Sequence, residues 1–218
     1  MNKNLSAGLA IVILLIVPVL LWVWLHNQLV SKEETVYEAW AQTESNFQRR
    51  ADLIPALIDT VSRYLKHESE TLTGVTEARS EALKSLTGAV DELIKSQKDA
   101  ADRRREGGPA IVEQEDSLKE LFAAQTRVGR SMTQLFGVVE AYPNLRSADQ
   151  FLELQAQLEG TENRINVARM RFNDAVRAYN AAIRRLPGSL IARVGGFRRK
   201  AYFQSDEEAR DAPALQFD

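Results

Sequence analysis

Cysteine is absent from the 218 residues, and histidine occurs only twice, at His26 and His67. The first absence removes disulfides, thiolate metal sites, cysteine nucleophiles and a lipidated cysteine anchor. The second leaves little material for histidine-based catalysis or metal binding. No surplus of positive charge exists either: 28 Lys+Arg stand against 30 Asp+Glu, a formal net charge of −2. Binding to nucleic acid rests on neutralising phosphates, so this balance argues against such a partner. Phosphate-cradling and nucleophile motifs are missing too, with no G-x-x-x-x-G-K-[ST], no strand-borne G-x-G-x-x-G, no H-E-x-x-H and no G-x-S-x-G. A di-metal bundle would need Glu-x-x-His on two helices, yet three residues before His67 stands Tyr64. The expectation is a non-enzyme with no cofactor, no metal and no catalytic residues.

Charge is missing altogether from Asn4 to Ser31. Within that window Leu5 to Leu25 is apolar but for Ser6, Gly8 and Pro18. At about 1.5 Å per residue the run spans roughly 30 Å, the thickness of a bilayer's hydrocarbon core. Trp22 and Trp24 near its far end suit the interfacial aromatic belt, and His26, Asn27 and Gln28 follow at once. A cleaved signal peptide would carry a shorter run and small residues after it, and neither is present. Residues 1–28 are therefore read as a tail and an uncleaved anchor, with the lipid bilayer as partner through residues 5–25, in a bacterial inner membrane crossed once. Lys3 makes the leading tail positive, which favours a cytoplasmic N-terminus and an exported body.

The remainder reads as long helices. From Phe151, apolar or small residues fall at Leu154, Leu158, Thr161, Ile165, Ala168, Phe172, Ala175, Tyr179, Ala182 and Leu186, with gaps alternating three and four. That is a heptad seam over five heptads, closed by Pro187-Gly188. Ser147-Ala-Asp-Gln150 predicts a capping box at its start. A second helix is predicted over about Ile111 to Tyr142, with a seam through Leu118, Leu121, Gln125, Val128, Met132, Leu135 and Val139. The first helix leaves the membrane with Val36, Trp40, Thr43, Phe47, Arg50, Ile54, Leu57, Val61 and Tyr64 in one phase. The phase runs through Pro55, where the helix either kinks or restarts, the unbroken phase favouring a kink. Beyond Tyr64 a weaker helical pattern includes Leu72, Val75, Leu83, Leu86, Val90 and Leu93, with an interruption expected at Thr87-Gly88. Three to four long helices with such seams predict an all-α antiparallel bundle over residues 29–187. Residues 188–218 are read as a tail that is not strongly helical, its aromatics partly packed on the bundle and its acidic end mobile.

Polar residues on the seams are the least ordinary feature. Arg50 sits on the first seam, Gln125 on the second, and Phe172-Asn173 recurs seven residues later as Tyr179-Asn180. Buried polar groups in bundles set register and partner choice, so a structural role is expected. Arg50 cannot shed its charge and needs an acidic partner, with Glu162 the first candidate and Glu77 the second. His67-Glu68 is an unfavourable acid–base pair, because adjacent helical residues point different ways. The basic cluster Lys95, Lys98, Arg103, Arg104 and Arg105 reads as a solvated helix C-terminus. Gly129, Gly137 and Gly160 inside helices suggest close backbone approach or an oligomer contact.

The stretch Ala39-Trp40, Arg49-Arg50-Ala51-Asp52-Leu53-Ile54-Pro55-Ala56-Leu57, Val61, Tyr64, His67-Glu68 and Glu77-Ala78-Arg79 resembles the LemA family. So do Glu140-Ala141-Tyr142-Pro143-Asn144-Leu145, Glu159-Gly160-Thr161-Glu162-Asn163-Arg164-Ile165, Phe172-Asn173, Tyr179-Asn180, Gly196-Phe197 and Tyr202-Phe203. Ala56 and Phe172 depart from the family's usual Asn and Tyr, and the segment from about Ser80 to Leu118 is longer than usual. The resemblance implies a bacterial membrane protein with one N-terminal span, a long-helix bundle and no established activity. It also implies a cytoplasmic body, opposite to the Lys3 argument. Residues singled out as structural or interaction candidates are Arg49, Arg50, Asp52, Pro55, His67, Glu68, Glu77, Arg79, Glu162, Asn163, Arg164, Asn173 and Asn180. The expected function is a membrane-anchored scaffold that associates with itself or with another membrane protein. A ligand-binding protein or enzyme using Arg50, Asp52, His67 and Glu162, and a membrane-surface organiser using the basic cluster or the tail, are the alternatives.

Overall fold

The computed structural model describes residues 2–68, 76–105, 110–140, 142–146 and 148–203. Helix α1 (Asn2–Glu68) carries the anchor and the first seam without a break. Helix α2 (Thr76–Arg105) follows, then a 3-10 turn (Ile111–Glu113) and α3 (Glu115–Val139). The short α4 (Pro143–Arg146), the long α5 (Asp149–Ala182) and α6 (Gly188–Gly195) complete the order. Among the described residues there is no strand. The fold is the expected all-α bundle, with four long helices.

Heptad spacing sets the pairing. Glu33 lies opposite Tyr179, Trp40 opposite Phe172 and Arg50 opposite Glu162. Steps forward along α1 are matched by equal steps back along α5, so the two helices run antiparallel in one register. Helix α2 pairs with α3 in the same sense, through Ser85–Ser131 at 2.9 Å and Glu92–Arg127 at 2.6 Å. The seams close on one core in which Phe47, Ile54, Leu57, Leu86, Leu93, Leu118, Leu135, Phe151, Phe172 and Tyr179 are fully buried. Each such side chain contributes about 1.5–3 kcal/mol over an exposed one, which is what holds helices of modest intrinsic stability together.

From Ile13 to Trp24, by contrast, α1 exposes its large apolar residues on every side. This is a helix long and apolar enough to cross a membrane, and it fits a single-pass anchor. The core begins as soon as the run ends, with Leu25 half-buried and Leu29 buried.

Of the two readings of Pro55 the restart is excluded: α1 continues through it, and Pro55 itself is exposed, so water can take the carbonyl its missing N–H leaves free. Four local expectations are corrected. Thr87-Gly88 does not interrupt α2, because Leu86, Ala89 and Val90 on its inner side are buried against α3. Tertiary burial outweighs the roughly 1 kcal/mol a helical glycine costs. The second predicted helix is shorter, its first turn being the separate 3-10 turn. Helix α5 starts one residue later than the capping box requires: Ala148 is the N-cap and has no side-chain acceptor, while Ser147 lies outside the described residues. Finally, the stretch after Pro187 is helical. Gly188 is the one residue that lets the chain turn there, since a Cβ would stand 2.3 Å from the Ala182 carbonyl oxygen. Gly196 ends α6 in the left-handed region at φ +73°, where a glycine is unstrained.

Candidate functional site

Three groups of buried polar side chains tie the bundle together. The first is Arg50, almost fully buried on α1. Its Nη1 donates to Glu162 Oε2 at 2.9 Å; its Nη2 donates to the Gln125 backbone carbonyl at 2.8 Å and to Gln125 Oε1. One guanidinium therefore joins α1, α3 and α5. Burial lowers its pKa and the Glu162 carboxylate opposes this, but a guanidinium stays charged regardless. Gly129 lies beside it, where a Cβ would sit 3.9 Å from Nη1, an ordinary contact. Arg50 and Gln125 form the floor of a cleft of about 480 Å³ walled by Phe47, Met132, Phe136, Leu158 and Ile165, with Arg130, Glu159 and Arg169 also lining it. Arg50 Nε and Gln125 Nε2 are buried donors with no hydrogen-bond partner among the described residues.

The second group surrounds Lys200, whose side chain is entirely buried. Its ammonium lies 2.6 Å from Glu33 and 3.0 Å from the Tyr37 hydroxyl, and it is also paired with Glu113. Tyr37 donates onward to Glu113 at 3.0 Å, and Tyr179 donates to Glu33 at 3.2 Å. Burial alone would lower the Lys200 pKa, but the hydrogen bonds it donates to Glu113, Glu33 and Tyr37 outweigh it and the pKa is raised. The Tyr179 pKa is raised by burial and then by the Glu33 charge. Glu113 is also partly desolvated, yet Lys200 and Tyr37 hold its pKa below the ordinary value. An ammonium this firmly protonated is no nucleophile, and a phenol this firmly neutral is no base at neutral pH. The cluster is an ion-pair tie joining α1, the 3-10 turn and α5 to the closing segment.

The third group explains the repeated asparagine. Asn180 donates to the Lys200 carbonyl at 2.8 Å and accepts from the Lys200 N–H at 3.0 Å. Asn173 does the same to Phe203, at 3.1 and 2.8 Å. Seven helical residues rise about 10 Å, and three extended residues span about 10 Å, so two asparagines a heptad apart match the backbone of an extended segment. The closing segment, read from sequence as part of a tail, is thus built into the core, with Lys200 and Phe203 buried.

Residues 39–217 match the LemA family. The chain belongs to the LemA family. That match takes in the Arg50, Asn173 and Asn180 ties and the Lys200–Glu113 pair, while Glu33 and Tyr37 precede it, and LemA is not a known enzyme family. The chain is also similar to the magnetosome protein MamQ of Magnetospirillum gryphiswaldense, 34% identical over 97 residues, which is 44% of this chain and 35% of that protein. The magnetosome proteins MamQ 1 and MamQ 2 of Paramagnetospirillum magneticum are similar to the same extent. The chain thus spans about a third of the length of these curated relatives.

In this LemA protein the residues singled out from sequence separate into four sets. Arg50, Glu162, Asn173 and Asn180 enter the ties just described. Asn163 and Arg164 are exposed on α5 and line a shallow depression between α5 and α1. Arg49, Asp52 and Pro55 are exposed on α1, where Asp52 accepts from Gln48 at 2.8 Å and does not join Arg50 and Glu162. His67 and Glu68 fall in the last turn of α1, and Glu77 and Arg79 in the first turn of α2; their side chains lie outside the described residues. Tyr64, placed on the first seam, is exposed. Among the described residues no group of three or more His, Cys, Asp or Glu could hold a metal ion. Sequence reasoning missed Glu33, Glu113 and Lys200. One signal was available: Glu33 continues the first seam backwards between Val36 and Leu29, a carboxylate at an inward position that needs a cation.

Proposed function

We propose that this LemA protein is a non-enzymatic, membrane-anchored scaffold whose bundle associates with a second copy of itself through the outer face of the α1–α5 pair. One observation carries this reading. Two shallow depressions, of about 230 and 350 Å³, share Gln42, Ala168 and Arg171 and form one groove between α1 and α5. Ala39, Ala168 and Ala175 keep its floor low, and exposed Val167 and Met170 stand on α5 beside it. Such a groove accepts a helix by apolar contact with a polar rim of Glu38, Gln42, Asn163 and Arg164. Of the residues that looked most like chemistry, Arg50 and Glu162 are meanwhile engaged in an internal tie that Asp52 does not join. Another membrane protein is the competing occupant of the same groove.

The cysteine-free chain makes the test direct. With Met170→Cys as its sole thiol, oxidation in native membranes is expected to give a disulfide-linked dimer. Exposed Asp91→Cys, on α2, is expected to stay monomeric. No dimer from Met170, or equal dimer from both sites, refutes self-association through this face. Lys3 favours a body on the exported side, whereas the family resemblance implies a cytoplasmic one. A membrane-impermeant thiol reagent applied to spheroplasts carrying Asp174→Cys should label it, whereas labelling only after lysis assigns the body to the cytoplasm.

A further inference from the structure

We propose that α6 is a membrane-surface foot, lying on the same bilayer that α1 crosses and seating its outer edge among anionic lipid headgroups. The proposal rests on α1 being a membrane anchor. It starts from where α6 sits. Gly188 at its start lies against Leu29, and Gly195 at its end against His26, where added Cβ atoms would stand 3.9 and 3.3 Å from those side chains. Seven residues of α6, about 10 Å of rise, therefore cover only three residues of α1, about 4.5 Å. Helix α6 crosses α1 steeply instead of running along it. An anchor that stands through the bilayer thereby lays α6 close to the membrane plane.

Its height is fixed by the same contacts. The apolar run ends at Leu25, so residues 26–29 fall in the headgroup layer just beyond the hydrocarbon. His26 stacks on Trp22 at 5.2 Å and meets the Phe197 ring edge-on at 5.3 Å. This aromatic stack joins the end of the anchor to the end of α6.

The two faces of α6 then differ in the way an interfacial helix requires. Ile191 and Ala192 are buried against the bundle. Leu190 is 60% exposed, Val194 74% and the preceding Leu186 77%, with Met170 at 61% the other large apolar residue this open among the described residues beyond the anchor. Single exposed aliphatic residues are ordinary, but three within nine residues, on and just before a helix seated where the anchor ends, extend the apolar surface that α1 would present to lipid. Around them Arg184, Arg185, Arg193, Arg198 and Arg199 are all exposed. Apolar residues flanked by arginines are the composition that binds an anionic lipid surface. The foot is also held rigidly: Lys200 is locked to Glu33, and its backbone is clamped by Asn180. Leu190 contact would thus fix the tilt of the whole bundle relative to the membrane.

The test uses the full chain in phosphatidylglycerol/phosphatidylcholine vesicles, with single cysteines carrying an environment-sensitive fluorophore. Leu190→Cys should lose fluorescence to lipids bearing a nitroxide near the headgroup, as Val17→Cys should to lipids with the nitroxide deep in the chain. Met170→Cys, on the outer face of α5, should lose none. Adding Arg185→Glu and Arg193→Glu should weaken quenching at Leu190, as should pure phosphatidylcholine or high salt. Quenching at Val17 with none at Leu190 overturns the foot alone. Absence of quenching at Val17 overturns the anchor and the foot together. Disulfide-linked dimers through Leu190→Cys without lipid quenching would assign this corner to a second copy and equally overturn the proposal.

Discussion

Removing Arg50 and Glu162 singly and together measures how the three-helix tie is divided between charge and hydrogen bonding. The two partners are unlike: the Arg50 side chain is 3% exposed and that of Glu162 41%. In Arg50→Ala the remaining carboxylate is not stranded in the core, because water already reaches it. What is lost is the charged donor to the Gln125 carbonyl, which keeps its bond within α3, and to Gln125 Oε1, which is left a buried acceptor. Those losses, with the missing stem beside Phe47, amount to about 3 kcal/mol. Glu162→Ala instead leaves a buried guanidinium without its counter-charge, which costs 3–5 kcal/mol when both partners are fully buried. The exposure of Glu162 reduces this to about 2 kcal/mol. The double variant should cost less than the sum by about 1 kcal/mol, the coupling across the 2.9 Å pair. Arg50→Met, which keeps the volume and removes the charge, should lose only about 1 kcal/mol. Urea melts of residues 28–218 report this cleanly, since Trp40 is then the only tryptophan and stacks edge-on against Phe172 in the core. Strict additivity of the two single losses, or an Arg50→Ala protein as stable as the parent, refutes the reasoning.

Deleting Met1 to Asn27 should leave a soluble, strongly helical body, since the core begins at Leu29 and the exposed apolar residues up to Trp24 are removed; weak helical circular dichroism or precipitation would contradict this. Asn180→Ala should cost about 2 kcal/mol for two lost hydrogen bonds and expose the Lys200 amide to rapid hydrogen exchange while the exchange of mid-α3 amides stays slow. Gly137→Ala and Gly160→Ala meet no atom within 4 Å, so each should raise stability of the isolated body by about 0.5–1 kcal/mol in thermal melts; a loss of self-association in either variant would place that glycine at a contact between chains. The Lys200 pKa is raised from 10.5 and that of Tyr179 from 10.0, so their contribution is complete below about pH 10 and is lost as pH rises beyond it. Melting temperature should therefore hold up to about pH 10 and fall as pH rises above it, and Lys200→Met should flatten that fall.

The sequence by itself determined the elements and their inward faces. A charge-free run the length of a bilayer fixes the anchor, and alternating three and four spacing fixes which side of α1, α3 and α5 turns inward, because both are local regularities of one segment. It also exposed Arg50, Gln125, Asn173 and Asn180 as polar residues in inward positions. Tertiary structure alone decided what meets them. Periodicity names a face but not the face opposite, so Gln125 became the second partner of Arg50 only once α3 was laid across α1. Lys200 carries no local signal of burial among its arginine neighbours; it is buried because Glu33, Glu113 and Tyr37, brought from two distant segments, outweigh its desolvation. Helix α6 was illegible for a related reason. Eight residues between Pro187 and Gly196 are too few to be helical on their own. They are helical here because Ile191 and Ala192 find the bundle's end, and that contact also turns Leu190 and Val194 outward, beside the place where α1 leaves the membrane.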